Sequence, residues 1–314
     1  VISEASMTTL RRGYIDTSHG QMHYRTAGRG AAVLLMHQAG RTGAIYDRVA
    51  DYLASEFQTI AIDLPGFGQS DPLPLPCAVS DVTEVVVEML DGLGIDSVHL
   101  TGHHTGAVVA GDLAVRHPDR TRSFAPSGYP LYALPGEPPP APGPAEPRPI
   151  LTMGGHSVPV APELHSDGAH LNRLFLRAMA MLYYSKVSLG ETRMAMLPFE
   201  HLPAEDLDFI NAFVVDGLQA ISAAGTLSAV RTYDSESQLP NITVPTLFIE
   251  SSGQIEAPVC QRAQALSALV PNSRTAVVDN GDIHVTYTRA EDLGAILKDF
   301  YRSVDAAVLE GSAQ

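Results

Sequence analysis

Short, unbroken apolar runs alternate along this chain with segments whose apolar residues recur at helical spacing, and that alternation narrows the fold more than any other feature. Residues 32–36, 59–62, 98–101, 246–250 and 274–278 read as strands, and residues 79–93, 105–117, 257–270 and 289–304 read as helices. A strand without polar alternation is buried on both faces, which requires helices above and below a mostly parallel sheet. Residues 13–17 and 21–26, on either side of His19-Gly20, add an N-terminal hairpin. The fold class is α/β.

The pattern breaks after residue 125. Residues 126–149 are rich in Pro, Gly and Ala, and Gly136-Glu137-Pro138-Pro139-Pro140 is expected to stay extended. Amphipathic helices are expected over 169–184 and 204–223, the second with Pro203 near its first turn. The expected plan is a core over 1–126, a mostly helical lid over 127–240 with a Pro-rich loop at 133–149, and the rest of the core over 241–314. The tail from Ala306 is expected to fray.

Composition removes several classes of partner. A formal charge of −15 on 314 residues argues against nucleic acid and anionic membrane, both of which repel an acidic surface. No apolar run approaches the roughly 18–20 residues that span a bilayer. Residues 1–6 lack the charged and apolar regions of a signal peptide. Two distant cysteines, Cys77 and Cys260, fit a reducing, cytoplasmic setting. Neither G-x-G-x-x-G nor G-x-x-x-x-G-K-[ST] occurs, so no organic cofactor is implied. The oligomeric state, monomer or homodimer, stays open.

Chemistry concentrates in Leu100-Thr101-Gly102-His103-His104-Thr105-Gly106-Ala107, between a predicted strand and a predicted helix. Two glycines four apart permit the tight strand-to-helix turn that lifts one side chain into a pocket. With Leu34-Leu35-Met36-His37-Gln38, Asp63-Leu64-Pro65-Gly66-Phe67-Gly68-Gln69-Ser70-Asp71 and Ile242-Thr243-Val244-Pro245-Thr246-Leu247-Phe248-Ile249, this stretch resembles the α/β-hydrolase superfamily over residues 13–301. The departure is His104, which stands where that family carries a serine nucleophile.

The resemblance implies backbone N–H donors for an oxyanion at Thr105 and at Gln38 or Ala39. It places an acid after the strand that ends near Glu250, in a W-G-x-x-D type stretch. Counted that way, Gln254 falls at the aligned place, and Glu250 is the nearby carboxylate. The family histidine falls in Asn280-Gly281-Asp282-Ile283-His284-Val285, where His284 is the chemical candidate and Asp282 the alternative register.

Three readings of His104 follow. As a general base it takes a proton from water or substrate, giving hydrolysis or, by proton abstraction, lyase, isomerase or cyclase chemistry. As a nucleophile it forms an acyl-imidazole. In the third reading the pocket only binds a small molecule. The substrate is expected to be small, neutral or weakly polar, and carbonyl- or ester-bearing. His37, His103, Tyr46 and His170 are candidates for contact with it, His37 and His103 also having a structural reading, as packing or turn residues. Arg173 and Arg177 read as a solvent-facing pair. A metal site built from His37, His103, His104 and Glu250 lacks the usual ligand spacing, so no metal is expected.

Overall fold

In the computed structural model, which describes residues 10–131, 151–153, 156–158, 167–188, 202–220, 223–253, 256 and 260–312, eight strands form one sheet. They are β1 (Arg11–Thr17), β2 (Gly20–Ala27), β3 (Ala32–Met36), β4 (Gln58–Ile62), β5 (Val98–Gly102), β6 (Thr121–Phe124), β9 (Thr246–Ser251) and β10 (Ser273–Val278). Their order across the sheet is β1-β2-β4-β3-β5-β6-β9-β10. The hairpin β1–β2 joins antiparallel at one edge, and every pairing from β4 to β10 is parallel.

Side-chain alternation explains how one apolar run serves two cores. Leu34 and Met36 of β3 point to one face and Val33 and Leu35 to the other, and all four are fully buried. Helices α2 (Val79–Gly92) and α3 (Thr105–Arg116) pack on the first face. On the second lie α1 (Asp47–Leu53) and α10 (Ala290–Ser312). Each such aliphatic side chain contributes roughly 1.5–3 kcal/mol on burial, so a strand covered on both sides holds two layers at once.

Between β6 and β9 lies an insertion: a two-stranded hairpin, β7 (Leu151–Met153) with β8 (His156–Val158), then α4 (Ala169–Ser188), α5 (Ala204–Leu218), α6 (Ala224–Arg231) and α7 (Ser235–Gln238). The helix expected over 204–223 ends at Leu218, and α6 starts beyond that range at Ala224. Within α5, Gly217 lies so close to α4 that a Cβ there would meet Leu174 Cδ2 at 2.7 Å. The Pro-rich loop 133–149 lies outside the described residues. Two further boundaries differ from expectation. The helix expected over 257–270 is seen as α8 (Ala263–Leu269). The tail expected to fray from Ala306 continues α10 through Ser312, and a short α9 (Val285–Thr288) precedes that helix. Among the described residues no helix is long and apolar enough to cross a membrane.

The parallel order matters for function. The carboxyl ends of neighbouring strands β3, β5, β6, β9 and β10 all open on the same edge of the sheet, where α/β folds assemble their sites.

Candidate active site

His104 sits at the turn from β5 into α3 with φ +48° and ψ −107°, a backbone conformation that non-glycine residues rarely adopt. The flanking glycines make that turn sterically possible. A Cβ on Gly102 would lie 2.2 Å from the Gly106 carbonyl, and one on Gly106 would lie 2.1 Å from the Met36 carbonyl oxygen. Neither obstacle is a flexible side chain. Gly106→Ala is therefore expected to cost about 3 kcal/mol, read as a drop in the urea midpoint; an unchanged midpoint would show that the turn is not under this constraint.

The carboxylate that meets His104 is Glu256, with Oε1 3.0 Å from the ring Nε2. Glu250, expected in that role, instead accepts the Ala263 N–H at 2.9 Å and caps the start of α8. The spacing that finds Glu256 begins at Gly253. A glycine is needed there because a Cβ would lie 2.1 Å from the Gly281 carbonyl oxygen, and Gly253-Gln254-Ile255-Glu256 then matches G-x-x-acid. Burial opposes charge on the His104 ring, but Glu256 and then Cys260, both hydrogen-bonded to it, outweigh burial and raise its pKa to about 10. The ring is an imidazolium at neutral pH.

Beneath the ring lies Gly128, a residue with no motif around it. Its φ is +56°, and a Cβ there would lie 2.7 Å from His104 Cδ2. Gly128 follows Ser127, whose carbonyl accepts the His104 N–H at 3.2 Å. The end of β6 therefore makes the space the imidazole fills.

Among the described residues, the other histidine that reaches the cavity is His284. That cavity, about 320 Å³, is lined from the sheet side by Gln38, Ala39, Arg41, His104, Thr105, Cys260 and His284. Leu174, Arg177, Met181, Phe213, Leu227, Val230 and Arg231 of α4, α5 and α6 line it from the other side. His284 is 3% exposed, and its Nε2 has no hydrogen-bond partner among the described residues. Burial first, then the charges of Arg41, His103, His104 and Arg177, hold it neutral. Asp282, the alternative register, accepts the His284 N–H at 2.6 Å and so fixes the turn that presents that ring.

His103 turns away and is fully buried, with Nδ1 3.1 Å from the Ser127 carbonyl and Nε2 2.9 Å from the Ile283 carbonyl. A neutral ring can donate to one of these only. Burial, helped by the neighbouring His104 charge, lowers its pKa to about 4. Tyr46 is also buried, donating to the Met36 carbonyl at 3.2 Å, and belongs to the core. His170 begins α4 and is not among the lining residues. Neither His103, Tyr46 nor His170 is placed to touch a ligand in the cavity.

His37 acts at one remove. Its Nε2 accepts the Leu64 N–H at 2.9 Å, so its proton lies on Nδ1, which donates to the Gln38 carbonyl at 2.7 Å. In a trans peptide the C=O and the following N–H point oppositely. Holding the Gln38 carbonyl inward therefore aims the Ala39 N–H at the elbow, where it donates to Thr105 Oγ1 at 3.2 Å. The Thr105 N–H, at the first turn of α3, has no intrahelical acceptor by position. Asp63 fixes the neighbouring loop by accepting from Gly43 N, Gln69 N and His23 Nδ1 at 2.8–2.9 Å.

The cavity is more cationic than a net charge of −15 suggests. Arg41 is ion-paired with Asp216 at 2.8 Å and lies over the Phe213 ring. Arg177, expected on the solvent face, lines the cavity instead, and burial together with the Arg41 charge lowers its pKa to about 10. An expectation of a neutral substrate does not fit this wall. For a metal, one ligand atom each of His103, His104 and Glu256 lies within 4.8 Å of the others, a group without His37 or Glu250. Both His103 nitrogens already face carbonyl oxygens.

A family model described as alpha/beta hydrolase fold matches residues 31–139. The chain is 26% identical to the Pseudomonas putida 2-hydroxy-6-oxononadienedioate/2-hydroxy-6-oxononatrienedioate hydrolase 2, over 95% of this chain and 98% of the relative. It is 33% identical to a Burkholderia cepacia 2-hydroxy-6-oxo-6-phenylhexa-2,4-dienoate hydrolase, over 33% of this chain and only 38% of that relative. In structure it is similar to the enol-lactonase from Burkholderia xenovorans, with a TM-score of 0.67 and 18% identity over 92% of this chain and 100% of that one. The chain carries the α/β-hydrolase fold, with histidine at the strand-to-helix turn.

Proposed function

We propose that this protein hydrolyses a small carbonyl or ester compound bearing a carboxylate, with His104 and Glu256 as its proton-transfer pair. The observation that carries the reading is a charged imidazole at the elbow, ion-paired at 3.0 Å to a buried carboxylate and open to a cavity. His104 gives its proton to the leaving group and takes one back from the water that completes hydrolysis. The N–H groups of Thr105 and Ala39 receive the negative charge that develops on the carbonyl oxygen, a role that backbone donors fill whatever the elbow side chain. Helices α4–α6 act as the lid within an insertion over 127–240, and His284 offers the substrate a neutral hydrogen-bonding nitrogen.

The arginine wall selects the substrate. A carboxylate would relieve the mutual repulsion of Arg41 and Arg177, and Arg is suited to bidentate carboxylate binding. Two relatives support an acidic carbonyl substrate through their names, a nonadienedioate and a phenylhexadienoate hydrolase.

The test is hydrolysis of p-nitrophenyl hydrogen succinate against p-nitrophenyl methyl succinate. The free acid is expected to be preferred by about tenfold or more in kcat/KM, corresponding to roughly 1.4 kcal/mol, and Arg177→Gln is expected to erase the preference mainly through KM. Equal rates on both esters, indifferent to Arg177→Gln, would remove the carboxylate from the proposal.

A further inference from the structure

The attacking group at this site need not be water. Cys260 is 4% exposed, lines the same cavity as His104, and lies close enough to the His104 ring to help raise its pKa. It stands four residues after Glu256, between β9 and α8. The residues just after it are pinned. Gln261 Nε2 donates to the carbonyls of Ser251 and Gly253 at 2.8 and 3.0 Å, and Glu250 holds the Ala263 N–H at 2.9 Å. A thiol held this firmly against an imidazole that is itself paired to a carboxylate has the parts of a nucleophile, its base and the group that orients the base. The buried, unpartnered Nε2 of His284 on the same wall marks the space before the thiol as a ligand's place.

We propose that Cys260 is the nucleophile of this cavity, with His104 as its base and Glu256 behind His104, so that hydrolysis runs through a thioester on Cys260. The inference rests on the function proposed above and names its attacking atom. The elbow then supplies the base, and the loop after β9 supplies both nucleophile and acid.

The steps balance. Cys260 Sγ bonds to the substrate carbonyl carbon while His104 holds the thiol's proton, and the carbonyl π pair moves to oxygen beside the Thr105 and Ala39 N–H groups. Re-forming C=O expels the leaving group, which takes the proton from His104. Water then adds to the thioester carbonyl and gives its proton to His104. The C–S bond breaks, the acid departs, and sulfur recovers the proton. Nothing is oxidised or reduced.

The experiment uses the full chain and two probes, iodoacetamide and p-nitrophenyl hydrogen succinate. Iodoacetamide is expected to alkylate Cys260 at least tenfold faster than Cys77, at a rate much reduced in His104→Ala. Turnover quenched in acid is expected to show a succinyl mass on the Cys260 peptide. Cys260→Ala is expected to lose at least a thousandfold in kcat, and Cys77→Ser nothing. Should Cys260→Ala fail to fold, the alkylation and trapping results on the wild type decide. A Cys260 that alkylates no faster than Cys77, or Cys260→Ala turnover within threefold of wild type while His104→Ala is inert, overturns the nucleophile and leaves the His104 reading standing. Turnover intact in both variants overturns that reading as well.

Discussion

Replacing His104 with alanine lowers kcat/KM on the succinate half-ester by about 10²–10⁴-fold, the range that a general acid–base group supplies. The ring is the proton carrier in both halves of the reaction, and the structure offers no equivalent substitute. His103 faces two backbone carbonyls, and His284 is held neutral by burial and by the nearby cations. The loss is not total, because the N–H groups of Thr105 and Ala39 remain to bind the oxyanion. The variant also removes the charge that faces Glu256, 3% exposed, at 3.0 Å. Glu256→Gln separates the two effects. With the carboxylate gone and burial retained, the His104 pKa falls from about 10 toward or below its ordinary value. An NMR titration of the ring, beside the pH dependence of kcat/KM, measures that fall. An unchanged rate in His104→Ala would place the chemistry elsewhere.

Much of this arrangement could be read in the chain because its signals are local. An apolar run such as Ala32–Met36 declares a doubly covered strand, and two glycines four apart around His104 declare the turn. What escaped depends on contacts between distant segments. Glu256 was hidden because the acid was sought from Glu250 rather than from Gly253, the residue whose backbone is pressed against Gly281. Gly128 carries no motif, since its constraint is the His104 ring itself. Arg41 and Arg177 become one wall only when α4 folds over the loop after β3, and overall charge averages such a wall away. Cys260, in the sequence only one of two distant cysteines, shares a cavity wall with His104 once the chain folds.

The second large effect is on stability, and it comes from histidines that fold neutral. Between pH 6.5 and 5 the protein is expected to lose on the order of 4 kcal/mol or more of folding free energy. Burial is the leading cause in each of four cases. It lowers His99 and His103 to about 4, lowers His37, and lowers His284 well below its ordinary value. As the pH falls below about 6.5 these rings protonate in the unfolded chain before the folded one. The unfolded state then binds more protons, so stability present above 6.5 is lost as the pH falls, at about 2 kcal/mol for each of His99 and His103 by pH 5, with His37 and His284 adding in the same direction. A loss of that size is a large part of the stability of a typical domain. His104 does not offset it. Its folded pKa is raised, so its contribution is complete below about 6.5 and is lost as the pH rises from there to about 10. Stability should therefore peak near neutrality and fall more steeply on the acid side. Urea midpoints at pH 7 and 5, with proton uptake on unfolding measured calorimetrically at pH 5.5, check this. His99→Gln, which removes one buried ring hydrogen-bonded to Ser123 at 2.8 Å, should flatten the acid slope. Equal midpoints at the two pH values would mean that these rings titrate alike in the folded and unfolded chain, and that burial does not hold them neutral.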